Sequence, residues 1–153
     1  MISGCGGAGR SVAKVATADG RGEIVGLVDP QQSQLDRMLT YYPEAAAGAD
    51  YAHLLQATQP DVVVVAGPDH LHADQSVMAL EQGCHVLIEK PLATKVADAR
   101  RILDAQARNG SESSDCRISS CMIHFCQYDE ERGSLNRHAN GRSIATNILL
   151  VLT

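Results

Sequence analysis

Apolar residues recur along this chain in two alternating patterns. Short continuous runs, from Glu23 to Asp29, from Val62 to Ala66 and from Cys84 to Glu89, are rich in Val, Ile and Leu. Runs of that kind suit parallel strands buried on both faces. Between them apolar positions return at helical spacing: Val12, Ala13, Val15 and Ala16, then Leu35, Met38, Leu39 and Tyr42, then Ala73, Val77 and Leu80, then Val96, Ala99, Ile102 and Leu103. Pro30 is placed for the first turn of the second helix and Pro43 for its stop. A loop from Ala45 to Asp50 leads into a short helix from Ala52 to Thr58, and Gln59-Pro60-Asp61 turns the chain into the valine run. Gly83 is suited to cap one helix at its carboxyl end and Thr94 to open the last, which ends at Asn109-Gly110. Strand and helix alternate at the pace of βαβ units from Gly4 to about Gly110, so the expected fold is α/β, a doubly wound parallel sheet.

The amino end departs from that scheme. Only Met1, Ile2 and Ser3 precede Gly4, whereas a central parallel strand has about five or six residues. The first strand is expected to be nearly missing, with the neighbouring strand edges left unpaired. This reads as a truncated start.

Composition sets the outer bounds. A chain of 153 residues accommodates one domain with a proper core and not two. Hydrophobic residues at 44% and charged residues at 20% are ordinary for a soluble globular protein. Thirteen basic against eighteen acidic side chains give a net charge of −5, which offers no electrostatic case for nucleic acid or an anionic membrane. No apolar run reaches bilayer length and no signal peptide opens the chain, so the reading is a cytoplasmic protein. The five cysteines are odd in number and scattered, with Cys5 and Cys84 inside the regular pattern, and they read as reduced thiols.

The chemistry begins at Gly4-Cys5-Gly6-Gly7-Ala8-Gly9. A pyrophosphate site needs a strand that stops, a tight turn, and a helix whose free N–H groups face the phosphates. Gly4 would make the turn, Gly6 would let backbone approach the pyrophosphate, and Gly9 would let the helix pack closely on the sheet. Asp29 lies about twenty residues beyond Gly9, at the end of the second apolar run. A carboxylate there accepts hydrogen bonds from both hydroxyls of an adenosine ribose and repels a 2′-phosphate. With no arginine just after that strand, the reading favours NAD over NADP. The plain alternative is a glycine turn that opens a structural helix.

Two further strand ends should converge on the same crevice: Gly67-Pro68-Asp69-His70-Leu71-His72 after the valine run, and Glu89-Lys90-Pro91-Leu92 after the last strand. Lys90, one of three lysines in the chain, is the foremost candidate for catalysis. Beside a nicotinamide its ammonium group could hydrogen-bond a substrate hydroxyl, and partial burial would bring its pKa toward a useful range. The alternative is an ordinary surface lysine. His70 and His72 have no convergent third ligand, so no metal site is expected.

These motifs together closely resemble the amino-terminal domain of the Gfo/Idh/MocA family, that of glucose-fructose oxidoreductase and inositol dehydrogenase. The family's Glu-Lys-Pro signature stands as Glu89-Lys90-Pro91, and its Thr-Pro-Asn-x-x-His segment as Gly67-Pro68-Asp69-His70-Leu71-His72, which departs from it at Gly67 and Asp69. The resemblance covers residues 1 to 110. It implies an NAD(P)-dependent oxidoreductase acting on a sugar or polyol, with hydride moving between a nicotinamide and a substrate carbinol. It also implies that Gly4, Gly6, Gly7, Ala8, Gly9, Asp29, Pro68, His72, Glu89, Lys90 and Pro91 line the cofactor site, with Lys90 beside nicotinamide and substrate and Pro91 often following a cis peptide. Asp69 in place of asparagine puts a negative charge near the cofactor.

Beyond Gly110 the resemblance stops. Residues 111 to 153 contain neither proline nor lysine and hold three of the five cysteines. They read as a divergent tail with one or two strands, Cys116 to Cys126 being one candidate and Asn147 to Leu152 another. The second domain expected in the family, with its substrate contacts and usual oligomer interface, has no counterpart here. Cys116, Cys121, Cys126 and His124 lack the close Cys-x-x-Cys pairs of zinc frameworks. Two alternatives to a working oxidoreductase stay open: a non-catalytic nucleotide-binding fragment, and another Rossmann-like use such as S-adenosylmethionine binding, against which Glu89-Lys90-Pro91 argues.

Overall fold

The computed structural model describes residues 1–109 and, as backbone, three later strands, Ile118–Ser120, Gln127–Asp129 and Ser134–Asn136. The expected tail strand from Asn147 to Leu152 and the Cys116, Cys121, His124 and Cys126 group lie outside the described residues.

The elements follow in the order β1 (Ile2–Ser3), α1 (Gly7–Thr17), β2 (Gly26–Val28), α2 (Gln32–Leu39), β3 (Ala46–Gly48), α3 (Tyr51–Thr58), β4 (Val62–Val65), α4 (His72–Glu81), β5 (His85–Ile88), α5 (Val96–Asn109) and β6 (Ile118–Ser120). The strands form one sheet in the order β3-β2-β1-β4-β5-β6, every neighbouring pair parallel. Gln127–Asp129 and Ser134–Asn136 are β7 and β8, a separate antiparallel pair. From β1 the chain winds outward through β2 and β3, then crosses back to β4 on the opposite side of β1. Strand order therefore reverses between β1 and β4, and the carboxyl ends of those two strands open the crevice where doubly wound sheets bind ligands.

The short first strand is paired on both sides, contrary to the edges expected to stand free. Ile2 and Ser3 match Leu27 and Val28 of β2 on one side and Val64 and Val65 of β4 on the other. Met1 extends the contact: its carbonyl accepts from the Val64 N–H at 2.9 Å, and the Ser3 carbonyl accepts from Ala66 at 2.7 Å. Few residues suffice here because β2 is itself only three residues long and β4 four.

Two cores lie on the two faces of the sheet. Helices α1 and α2 cover one, closing Ile2, Cys5, Ala13, Leu27, Leu35 and Met38 into a single cluster. Helices α3, α4 and α5 cover the other, over Leu55, Val63, Val65, Leu80, Ile88 and Ile102. The valine run serves both: Val64 faces the first cluster while Val63 and Val65 face the second, the alternation that a strand imposes.

Three local expectations need correction. The stretch read as a loop from Ala45 to Asp50 contains β3, paired along Gly26–Val28; its Ala-Ala-Gly sequence has none of the β-branched residues that mark a strand. Pro30 lies just outside α2, whose amino-terminal cap is Gln31. On α5, Ile102 is fully buried whereas Val96 and Leu103 are more than half exposed. Gly83, by contrast, takes a φ of +81° just past α4, the left-handed conformation that ends helices.

Candidate active site

The glycine loop joins β1 to α1 at the switch point. Gly4 has a φ of +90°, and a Cβ there would lie 2.4 Å from Gly67 N and 2.5 Å from the Ala66 carbonyl. The glycine loop and the loop after β4 thus meet backbone to backbone, with no room for a side chain. Gly9, buried on the first turn of α1, is as tightly placed: a Cβ would come within van der Waals overlap of the Gly4 carbonyl oxygen and 3.0 Å from Ile2 Cγ2. These two glycines are needed by the fold. Gly6 and Gly7 are different, since a Cβ at either meets nothing within 4 Å. They leave the amino end of α1 bare, with Gly7 and Ala8 exposed to solvent.

Asp29 closes the loop from the β2 side. Its Oδ2 accepts from the Cys5 N–H at 2.8 Å and its Oδ1 from the Gln31 N–H at 2.9 Å, and the residue is 8% exposed. One carboxylate thereby fixes the glycine loop to the turn entering α2. Gly4 N–H adds a 2.8 Å bond to the Val28 carbonyl. The Cys5 thiol points into the same core and donates to Val28 O at 3.7 Å. Burial, seconded by the negative charge of Asp29, pushes this thiol up to about 12, so it stays protonated and inert at neutral pH.

An arginine escaped the sequence reading. Arg10, the residue after Gly9, sends Nη1 across to Gln34 Oε1 at 3.0 Å, joining the first turns of α1 and α2. No arginine directly follows the second strand; Arg10 reaches the first turn of α2 from the neighbouring helix.

On the other side of the switch point the loop after β4 forms a single 3₁₀ turn, Asp69–Leu71, before α4. Pro68, Asp69 and His70 are exposed. His72 is not: at 1% exposure it lies within protein on all sides, with Nδ1 2.7 Å from the Pro91 carbonyl oxygen and Nε2 3.1 Å from that of Gly67. It builds the crevice wall from behind. Glu89 follows β5, its N–H held by the Val65 carbonyl at 2.8 Å and its Oε2 accepting from Lys90 N–H at 3.1 Å. The Lys90–Pro91 peptide is cis. The partial burial expected for Lys90 is absent: the side chain is exposed and its ammonium group has no ion pair with a described residue. It stands two residues past the carboxyl end of β5, at the exposed rim of the site.

The structure therefore places Gly4, Gly6, Gly7, Ala8, Gly9 and Asp29 at or after the carboxyl ends of β1 and β2, and Pro68, Glu89, Lys90 and Pro91 after those of β4 and β5, with the buried His72 bridging the last two loops. The two sets meet where Gly4 abuts Ala66 and Gly67. Among the described residues no group of three or more His, Cys, Asp or Glu is placed to hold a metal ion, and no helix is long and apolar enough to cross a membrane.

Comparison with known proteins places this arrangement. The Gfo/Idh/MocA family model, described as an oxidoreductase family with an NAD-binding Rossmann fold, matches residues 1–114. The chain is 38% identical over 88 residues to D-glucoside 3-dehydrogenase of Escherichia coli, a match that covers 58% of this chain and 25% of that protein. Among solved structures it resembles the WlbA dehydrogenase from Bordetella pertussis in complex with NADH and UDP-GlcNAcA, with 28% identity and a TM-score of 0.64 over 71% of this chain and 32% of that one. A 3-ketoreductase from Actinomadura kijaniata, in complex with NADP and TDP-benzene, is similar at 26% identity and a TM-score of 0.63, covering 71% of this chain and 34% of that one. The chain spans about a quarter of the length of the curated relative and about a third of each structure.

Proposed function

The chain belongs to the Gfo/Idh/MocA oxidoreductase family, and from that premise we propose that residues 1–110 bind NAD as the nucleotide domain of a sugar or polyol dehydrogenase. The observation that carries the proposal is the pairing of Asp29 with the bare amino end of α1. One carboxylate anchors Cys5 and Gln31, while Gly6 and Gly7 leave the space in front of the helix clear. The residues present fit a dinucleotide: backbone N–H groups and the positive end of the helix dipole receive the pyrophosphate, and each Asp29 oxygen keeps lone pairs for a ribose hydroxyl.

A bound nicotinamide supplies the hydride acceptor or donor. In the oxidative direction the substrate's carbinol carbon gives up a hydride and its hydroxyl gives up a proton. Lys90 hydrogen-bonds that hydroxyl through Nζ and helps manage its proton in either direction. Glu89 and Pro91 aim the lysine, and Pro68 and Ala8 flank the cofactor. Asp29 favours NAD, because its charge opposes a 2′-phosphate. Arg10 is the one cation joined to the first turn of α2 among the described residues, and it is the group that would answer to NADP. Residues 111–153 we assign to a divergent tail, of which the strand Ile118–Ser120 completes the sheet beside β5.

The exposure of Lys90 favours a second reading, a domain that binds cofactor without turning over substrate, since nothing described covers the amine or shields it from water.

Titration of the protein with NADH, followed by enhancement of nicotinamide fluorescence, tests the reading, with NADPH and S-adenosylmethionine as controls. Saturable NADH binding that exceeds NADPH binding at least tenfold, a difference of about 1.4 kcal/mol, is the expected result. A folded sample that binds neither nicotinamide refutes it; binding without oxidation of any sugar or polyol selects the second reading.

A further inference from the structure

Lys90 has no side-chain partner among the described residues, yet the turn that carries it is tied down from an unexpected direction. His72 opens α4, and its ring is 1% exposed. Both ring nitrogens face backbone carbonyls, Pro91 O at 2.7 Å and Gly67 O at 3.1 Å. These carbonyls belong to different loops, one following β5 and the other β4. The Gly67 loop is in turn wedged against Gly4, where a Cβ would stand 2.4 Å from Gly67 N. A continuous chain of contacts thus runs from the glycine loop through Gly67 and His72 to the peptide that follows Lys90.

We propose that His72 is a positioning residue, which sets the Glu89-Lys90-Pro91 turn at a fixed distance from the glycine loop and so aims Lys90 into the crevice. The inference rests on the reading of Lys90 given above and deepens it. An imidazole suits the task, being rigid and short, with a donor position on each side of the ring about as far apart as the two carbonyls require. With one ring hydrogen it serves one carbonyl, the nearer Pro91 in the Nδ1–H tautomer, and with two it serves both. Loss of the ring's N–H groups leaves these carbonyls without their donor inside the fold, so the turn is released rather than held in place. The phenyl ring of His72→Phe fills similar space and donates nothing, whereas the amide nitrogen of His72→Gln donates two hydrogens.

The test reads Lys90 directly. Acetic anhydride labels lysines in the folded full chain, and mass spectrometry reports the rate at Lys90 relative to Lys14 and Lys95 as internal references. His72→Phe is expected to change the Lys90 ratio at least threefold and to weaken NADH binding, while His72→Gln returns both toward the wild-type values. A Lys90 ratio that stays within experimental error in a folded His72→Phe variant overturns the proposal, as does a folded His72→Gln that behaves like His72→Phe. If His72→Phe does not fold, the wild-type ring decides: a slowly exchanging imidazole N–H coupled through its hydrogen bond to the Pro91 carbonyl carbon supports the tie, and a fast-exchanging ring proton refutes it. Labelling is measured without cofactor, so failure of NADH binding to the wild type refutes the nucleotide reading and leaves the positioning of Lys90 to be judged on its own.

Discussion

Asp29 and Lys90 both stand at the carboxyl ends of strands in one sheet, and they are held in opposite ways. Asp29 is buried, with a backbone amide on each oxygen and the glycine loop wrapped against it. Lys90 is exposed, its side chain unpaired among the described residues and its turn secured by the carbonyl of the next residue. The difference lies in what meets each strand end, since β2 and β5 are both second from an edge of the sheet. The glycine loop and the turn into α2 each send an amide to Asp29, whereas no described side chain forms an ion pair with Lys90. The end proposed to hold the constant part of a cofactor is closed by backbone and carboxylate together; the end proposed for the chemistry is open among the described residues.

The sharpest way to break that comparison is at the glycines, because four residues of one loop divide between the two demands. Gly9→Ala places a methyl group into the Gly4 carbonyl and against Ile2, so α1 must move off the sheet. A loss of about 3 kcal/mol or more is expected, read as a lower urea midpoint. Gly6→Ala meets nothing and should leave stability within about 0.5 kcal/mol while lowering NADH affinity tenfold or more. Equal stability losses at both positions would mean that the loop is structural throughout and that the open space at Gly6 has no ligand to admit.

Next in size is Asp29→Ala, which leaves two amides, those of Cys5 and Gln31, without their acceptor. About 1–3 kcal/mol of stability should be lost, and NADH binding should weaken beyond what instability explains. Lys90→Met is the matching change at the other end, with thermal stability expected within about 0.5 kcal/mol of wild type. A Lys90 variant as destabilised as the Asp29 variant would show that the rim is as closely built as the interior.

How much of this was legible beforehand follows the same division. Gly4, Gly9 and Asp29 could be assigned from spacing because their roles are local: a turn, a close approach and a strand end, each fixed by a few neighbouring residues. The alternation of Val63, Val64 and Val65 between two cores was implicit in an uninterrupted apolar run. β3 was not legible, since Ala46-Ala47-Gly48 becomes a strand only by lying beside β2, and neither was Arg10, whose partner is on another helix. His72 was visible as a motif residue, but its function as a tie depends on Gly67 and Pro91 arriving from two loops. Side chains that act across elements leave little trace in sequence order.

The last effect appears only at alkaline pH and concerns Cys5, whose thiol shares the enclosed end with Asp29. Burial raises its pKa from 9.0 to about 12, so between those values the unfolded chain has lost the proton that the folded chain keeps. The folded state then binds more protons, and stability falls as pH rises through that window, by at most about 1.4 kcal/mol per pH unit from this group. Tyr51, raised by burial in the same direction, adds to the fall above pH 10. Below pH 9 neither contributes. Cys5→Ser keeps a donor for the Val28 carbonyl and removes the titration, so its urea midpoint should decline less steeply than that of the wild type between pH 9 and pH 10.5. Parallel declines would mean that water reaches the thiol, and that the glycine loop over Asp29 opens as freely as the rim at Lys90.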